Sequence, residues 1–229
     1  MLTGELFMKI VNQHTRVNNI ILGPLERPAL HWLAAHMPAW VTPDICTAVG
    51  VIGALLAAIS YGLSNYHPGF LWLASFGFVL NWFGDSLDGT LARYRGIERP
   101  LYGYYIDHTT DMICQVMIAV GLGVTPYVSF HVASLMVIAY LLLSGLVYLR
   151  TYVAGEFKIS YGGWGPTESR AVAILLNIAM YFYGFQTIRL VGQPISIYDI
   201  AFAALAMIIF AFFFNTAVRE ARRLAVLEE

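Results

Sequence analysis

The sequence predicts an all-α fold: a polytopic membrane protein with six transmembrane helices and an N-terminal amphipathic juxtamembrane segment. The chain has 229 residues, of which 59% are hydrophobic and 12% are charged. Soluble domains usually carry about 25% charged residues. The apolar residues form long runs that turn-forming residues separate. A soluble protein of this composition would expose large apolar patches, so we expect the lipid bilayer to surround it.

Six apolar runs are long enough to cross a bilayer, which takes about 20 residues. They lie at about 43–63, 70–92, 103–124, 128–152, 169–188 and 197–218. We therefore divide the chain into an N-terminal segment, residues 1–41, and a six-helix membrane domain, residues 42–229.

The N-terminal segment has mixed polarity. Apolar residues such as Ile21, Leu25 and Trp32 recur at roughly helical spacing, and Pro24 and Pro28 interrupt the pattern. This pattern predicts short amphipathic helices at the cytoplasmic membrane surface. Packing of the segment against the bundle is the alternative, and the two arrangements are compatible.

The placement of Lys and Arg predicts the orientation, because cytoplasmic loops of membrane proteins are enriched in both. With a cytoplasmic N-terminus and six spans, Arg189 alone falls on the far side. The cytoplasmic side then holds Lys9, Arg16, Arg27, Arg93, Arg95, Arg99, Arg150, Lys158, Arg170, Arg219, Arg222 and Arg223. We expect an integral protein of the cytoplasmic membrane, with both termini and the active site facing the cytoplasm.

Four aspartates interrupt the apolar sequence where the second predicted span ends and the third begins. Asp85 and Asp88 are three residues apart, and Asp107 and Asp111 are four apart, so each pair lies on one helix face. A short cytoplasmic link joins the two helices, which lets the pairs meet at one depth. Carboxylates at membrane depth are costly unless they are paired or solvated, so this cluster predicts a functional site.

Cations are needed to bring four carboxylates together. Oxygen ligands suit hard divalent ions such as Mg²⁺, Mn²⁺ or Ca²⁺, and two ions would form a site typical of phosphoryl chemistry. Gly89 and Ala92 would leave room for a bulky ligand beside the helix, and the Arg93 guanidinium suits phosphate oxygens. His108 lies between two aspartates in sequence but on another helix face, so we expect it to pack rather than to bind metal.

These residues resemble the signature of the CDP-alcohol phosphotransferases. The match is Asp85-x-x-Asp88-Gly89-x-x-Ala92-Arg93, nine residues, and Gly103-x-x-x-Asp107-x-x-x-Asp111. The "VTPDICT" stretch at the start of the first span resembles a further family motif, Thr-Pro-Asn-x-x-Thr/Ser, with Asp44 in place of the usual Asn. The resemblance implies a six-helix membrane enzyme that cleaves a CDP-linked donor, transfers its phosphoryl-bearing half to an alcohol and releases CMP.

The resemblance also implies roles for individual residues. Asp111 would act as the general base on the acceptor hydroxyl as well as binding metal. Two Mg²⁺ or Mn²⁺ ions would be held by Asp85, Asp88, Asp107 and Asp111. The CDP-linked donor would contact Pro43, Asp44, Thr47, Asn81, Gly89, Ala92 and Arg93.

The substrates are less closely defined than the reaction. Cationic residues near "GPTESR" predict an acceptor pocket for a small polar alcohol, which favours CDP-diacylglycerol as the donor. "GPTE" also resembles the choline and ethanolamine phosphotransferases, which use CDP-choline or CDP-ethanolamine with diacylglycerol. The predicted acceptor residues are Arg150, Lys158, Glu168 and Arg170.

Other classes of function fit the sequence less well. A net charge of −1 gives no electrostatic basis for binding nucleic acid. A divalent-cation transporter would place its carboxylates near the bilayer midplane, and an inactive scaffold would not need the complete signature. We expect the lipid bilayer, the CDP-linked donor and the alcohol as partners, and consider a homodimer as the assembly.

Overall fold

The computed structural model describes residues 15–17, 21–154, 156–158, 165–190 and 193–227, and confirms the all-helical class. Within these ranges the helices are α1 (Gly23–His36), α2 (Pro43–Leu63), α3 (Phe70–Arg95), α4 (Pro100–Gly123), α5 (Phe130–Ala154), α6 (Pro166–Tyr183) and α7 (Ile197–Leu227). Four short strands are β1 (Thr15–Val17), β2 (Glu156–Lys158), β3 (Thr187–Leu190) and β4 (Gln193–Ser196). β1 pairs in parallel with β2, and β3 forms an antiparallel hairpin with β4.

Each predicted apolar run corresponds to one helix, α2 to α7. The predicted end of the fifth run near residue 188 is wrong, because Gly184 adopts a φ of 66° and Thr187 begins β3. In the described part of the N-terminal segment, α1 is one continuous helix, so the two prolines do not divide it. Pro24 lies in its first turn, where a missing N–H breaks no helical bond, and Pro28 follows one turn later.

Three of the described helices are long and apolar enough to cross a membrane by themselves: Pro43–Leu63, Phe130–Thr151 and Ile197–Val226, with mean hydropathies of 2.0, 2.3 and 2.3. The other predicted spans, α3, α4 and α6, carry charged residues, among them Asp85, Asp107 and Arg170. Hydropathy alone therefore misses α3 and α4, which carry the four aspartates of the cluster, and α6, which carries Arg170.

Glycines let α2 and α3 approach almost to backbone contact. A Cβ atom added at Gly84 would collide with the backbone of Gly50, and one added at Gly53 would collide with the backbone of Asn81. Asn81 Nδ2 donates a hydrogen bond to the Gly50 carbonyl oxygen at 3.0 Å. This close packing places the polar end of α2 directly against the aspartate-bearing end of α3.

A buried hydrogen-bond chain joins α2, α3 and α6 on the side of the bundle away from the aspartates. The Tyr61 hydroxyl donates to Asn177 Oδ1 at 2.8 Å, and Asn177 Nδ2 donates to Ser75 Oγ at 3.2 Å. The surrounding core is apolar and includes Phe78 and Met180. Polar bonds between helices compensate for the weak hydrophobic drive for helix association in lipid.

The helix α1 packs against α3. Leu30 and Ala34 are buried in a cluster with Leu87 and Leu91. Arg95 secures the segment after α1, since its guanidinium donates to the backbone carbonyl oxygens of residues 37, 38 and 41. The structure therefore shows α1 packed against the bundle, which was the alternative for this segment. The outward side chains Leu25 and Trp32 remain 76% and 60% exposed.

Candidate active site

One large open cleft lies between α1, α2, α3, α4 and α6, and all four aspartates line it. The structure thus brings together the two acidic pairs that the sequence placed on consecutive helices. Of the predicted site residues, the cleft is lined by Pro43, Asp44, Thr47, Asp85, Asp88, Gly89, Ala92, Arg93, Asp107, Asp111 and Arg170. Asn81 lines a small adjoining cavity together with Thr47, Asp85 and Asp111.

Asp85 forms an ion pair with Arg170 of α6. The distance from Arg170 Nη2 to Asp85 Oδ2 is 2.7 Å, and the two side chains are 13% and 21% exposed. Arg170 Nε donates to Asn81 Oδ1 at 2.8 Å, whereas its Nη1 is buried without a hydrogen-bond partner in the described structure. The guanidinium therefore joins α6 to α3 beside the acidic cluster and retains donor capacity for an anionic group.

Asp88 interacts with the N-terminal end of α2. The Thr47 hydroxyl lies 2.6 Å from Asp88 Oδ2, and the Gly89 backbone N–H donates to Asp88 Oδ1 at 2.5 Å. Thr42 begins α2 by accepting a hydrogen bond from the Ile45 N–H, with Pro43 in the first turn. This helix start holds Thr47 in place, and it accounts for the "TPDICT" pattern.

Asp107 and Asp111 lie on one face of α4, with His108 beside them. One ligand atom from each of these three residues lies within 4.8 Å of the others. His108 packs against aromatic rings, stacked on Tyr148 with ring centroids 4.6 Å apart and in edge contact with Tyr104. Contrary to the prediction, it also belongs to a group of three residues that could hold a metal ion. Its Nδ1 also lies 3.4 Å from Asp107 Oδ2, so the ring is close to both aspartates.

The four aspartates interact electrostatically as one group. The charges of Asp85 and Asp107 act on both Asp88 and Asp111. Carboxylates this close repel one another unless a cation offsets their charge, and carboxylate oxygens are the ligands that Mg²⁺ and Mn²⁺ prefer. The residues present therefore fit a divalent metal ion.

A second ion pair spans the mouth of the cleft. Arg99, in the link before α4, donates to Asp44 at 2.5 Å, and its guanidinium lies 4.1 Å from the centroid of the Tyr102 ring. Both charged side chains are about half exposed. The hydrogen bond to Asp44 raises the pKa of Arg99. The Asp at position 44, where the similar family motif has Asn, is thus paired with a cation.

The predicted acceptor residues occupy different places. Arg170 lines the cleft. Arg150 of α5 pairs instead with Glu220 of α7 at 2.9 Å. Glu168 is buried at the start of α6 and accepts hydrogen bonds from the backbone N–H groups of Leu22 and Gly165. The backbone of Lys158 forms part of β2, while its side chain, like all of Lys9, lies outside the described structure.

Sequence reasoning missed one wall of the cleft, which α1 provides through Glu26, Arg27 and Leu30. Glu26 accepts hydrogen bonds from α3 and α6. A signal for this was present, because Glu26, Leu30 and Ala34 recur every four residues and so share one helix face. The last two of these residues are buried, which places Glu26 on the side that packs against the bundle.

Membrane-length apolar helices and a carboxylate-lined cleft define this protein as an integral membrane protein with a candidate divalent-metal site. The chain belongs to the CDP-alcohol phosphatidyltransferase family, whose model matches residues 40–217. This match confirms the resemblance found in the aspartate signature. The helix α1 lies outside it.

The proteins that this chain resembles are named for different substrates. The chain is 37% identical over 89 residues to a phosphatidylinositol phosphate synthase from Cutibacterium acnes, which covers 39% of this chain and 41% of that protein. It is 28% identical over 190 residues to a CDP-diacylglycerol–serine O-phosphatidyltransferase from Encephalitozoon cuniculi. That match covers 75% of this chain and 46% of the relative. It is 25% identical over 166 residues to a cholinephosphotransferase 1 from Danio rerio. That match covers 67% of this chain and 42% of the relative. The matches thus span less than half the length of each relative.

Proposed function

We propose that this protein is an integral membrane enzyme of phospholipid biosynthesis. It transfers a substituted phosphoryl (phosphatidyl) group from a CDP-linked donor to a small polar alcohol and releases CMP. The observation that carries the proposal is the convergence of Asp85, Asp88, Asp107 and Asp111 on one cleft, together with Gly89 and Arg93. Family membership supports the same reaction class.

In the proposed reaction, the acceptor hydroxyl oxygen attacks the phosphorus atom on the non-nucleotide side of the donor pyrophosphate. The new oxygen–phosphorus bond forms as the bond to the CMP oxygen breaks, and CMP leaves with the bonding electron pair. Asp111 accepts the hydroxyl proton. A carboxylate is a weak base, but a positioned one need only receive the proton as the bond forms.

We propose that two Mg²⁺ or Mn²⁺ ions bind at Asp85, Asp88, Asp107 and Asp111. When bound, such ions offset the charge of the pyrophosphate and of the departing CMP. Gly89 leaves space for the donor, and Arg93 lies at the same end of α3, where its guanidinium contacts a phosphate. Pro43, Asp44, Thr47, Asn81 and Ala92 complete the donor site.

In this proposal, residues 42–229 form the membrane domain, and all six helices α2 to α7 cross the membrane. The cleft and both termini lie on the cytoplasmic side. Most charged residues of α3, α4 and α6 line the cleft, and Arg95 and Glu168 are bonded to backbone groups of the N-terminal segment, which makes the lower hydropathy of these helices compatible with insertion. Residues 1–41 form the interfacial segment, and the exposed Leu25 and Trp32 of α1 support contact with lipid.

We also propose that the protein assembles as a homodimer. Native mass spectrometry of the solubilised protein would test this assembly.

CDP-diacylglycerol is the donor that we favour. The Encephalitozoon relative is named for this donor, and its match covers 75% of the present chain. Arg170 Nη1 is buried and has no hydrogen-bond partner among the described residues, so it suits an anionic oxygen. This supports an acceptor pocket that includes Arg170, with Arg150, Lys158 and Glu168 as the other candidates. The alternative is a choline- or ethanolamine-type reaction with diacylglycerol, which the "GPTE" stretch and the cholinephosphotransferase relatives favour.

A substrate screen of the purified protein distinguishes these donors. CMP release is measured with CDP-diacylglycerol against a panel of small polar alcohols, and with CDP-choline or CDP-ethanolamine plus diacylglycerol. We expect product in the first arm. Product only in the second arm would reverse the donor assignment, and metal flux into sealed vesicles without CMP release in either arm would favour a transporter.

A further inference from the structure

Glu26 joins three helices through one carboxylate oxygen. Its Oε1 accepts hydrogen bonds from Trp82 Nε1 at 2.8 Å and from Ser86 Oγ at 3.1 Å, both on α3. It also accepts one from Thr167 Oγ1 of α6 at 2.9 Å. Glu26 itself belongs to α1, which precedes the part of the chain that matches the family.

A second carboxylate makes the reverse connection. Glu168 of α6 is 5% exposed, and its Oε1 accepts a hydrogen bond from the Leu22 N–H, just before α1, at 2.8 Å. Its Oε2 accepts the Gly165 N–H at 2.9 Å. The helices α1 and α6 thus each provide a carboxylate that the other helix contacts. We call Glu26 and Glu168 the carboxylate clasp.

The carboxylate clasp lies next to the acidic site. Ser86 directly follows Asp85, and Thr167 lies about one helical turn before Arg170. Glu26 therefore bridges α3 and α6 beside the 2.7 Å ion pair between Asp85 and Arg170. Hydrogen bonds to a charged acceptor are roughly twice as strong as neutral ones, so the bridge resists separation of the two helices.

We propose that Glu26 is a positioning residue, which holds α3 and α6 at the spacing that presents Asp85 to a divalent metal ion. The helix α1 then completes the site, in addition to any contact with the membrane. This inference rests on the proposed function in taking Asp85 as a metal ligand. Its direct consequence is a change in metal affinity, because a misplaced ligand weakens coordination.

Binding of Mn²⁺ to the solubilised full-length protein, followed by the electron paramagnetic resonance signal of the free ion, tests the proposal without substrate. We expect Glu26→Ala to weaken Mn²⁺ binding by about tenfold, as loss of a supporting contact does in other metal sites. Glu26→Gln keeps an acceptor oxygen but loses its charge, so its Mn²⁺ affinity should fall between those of Glu26→Ala and the wild type. Thr167→Val removes one hydrogen-bond donor at nearly constant volume and should give an intermediate loss of Mn²⁺ affinity. This milder variant tests the proposal even if Glu26→Ala folds poorly.

The control is Asn177→Ala, which also removes a hydrogen bond between α3 and α6, but away from the cleft. It should lower the unfolding temperature and leave Mn²⁺ affinity unchanged. The proposal is overturned if Glu26→Ala binds Mn²⁺ like the wild type, if Asn177→Ala weakens binding equally, or if the wild type binds no Mn²⁺. Wild-type protein that binds Mn²⁺ but releases no CMP from any CDP-linked donor would refute the proposed function and leave the role of Glu26 intact.

Discussion

Arg170 Nη2 lies 2.7 Å from Asp85 Oδ2, which connects α6 to α3 through an ion pair that is mostly shielded from solvent. Removing one partner of such a pair leaves an uncompensated charge and costs about 3–5 kcal/mol, whereas replacing both partners by apolar residues is often nearly neutral. We therefore expect Arg170→Leu to lower the unfolding temperature clearly, and Asp85→Leu combined with Arg170→Leu to recover much of the loss without restoring CMP release.

Thermal unfolding of the solubilised variants checks this prediction. Arg99→Leu is the matched control, because its ion pair with Asp44 is half exposed and should contribute little to stability. Equal unfolding temperatures for the two single variants would contradict the assignment of the Arg170 pair as structurally important.

The aspartates should differ in their roles. Asp111→Asn keeps the size and one acceptor oxygen but loses basicity. It should retain CDP affinity within about tenfold, which is 1.4 kcal/mol, while CMP release falls by about 10² or more. Asp88→Asn should instead lose metal and nucleotide binding together. Calorimetric CDP binding at fixed Mg²⁺ and CMP release are measured for both. Equal loss of CDP binding would mean that the four carboxylates act as one metal cage, and near-normal turnover of Asp111→Asn would place the base elsewhere.

Two glycines of α3 should respond differently to the same substitution. The atoms nearest to a Cβ atom at Gly89 would be those of the Arg93 guanidinium, the closest at 3.2 Å, and this long side chain can move aside, so Gly89→Leu should fold and project into the donor site. A Cβ atom at Gly84 would collide with the backbone of α2, so Gly84→Leu should disrupt helix packing. We expect loss of CDP binding at a normal unfolding temperature for the first, and a lowered unfolding temperature for the second. Normal CDP binding by Gly89→Leu would show that the donor site is placed wrongly.

Removal of metal should stop the reaction. EDTA is expected to abolish CMP release, and excess Mg²⁺ or Mn²⁺ should restore it, because the mutual repulsion of the four carboxylates calls for cations. The measurement is CMP release before chelation, after it and after re-addition of each ion. Full activity in the presence of chelator would rule out the two-metal proposal.

Local sequence patterns predicted the helices and the helix faces on which the acidic residues lie. Long apolar runs between turn residues indicate helices in lipid, since lipid offers no partners for backbone groups. Spacings of three and four residues place Asp85 with Asp88, and Asp107 with Asp111, on single helix faces. These relations depend only on residues close together in the sequence. The end of α6 was mispredicted because an apolar run does not reveal the positive φ of Gly184.

Contacts between distant residues were decided only by the tertiary structure. The pairing of Arg170 with Asp85 depends on how α6 packs against α3. Glu26 is 141 positions from Thr167, and no local periodicity encodes such a contact. The sequence determined which helices form and which of their faces are polar. Packing decided which polar faces meet, because side-chain pairing across helices follows from the close approach that residues such as Gly84 and Gly53 permit.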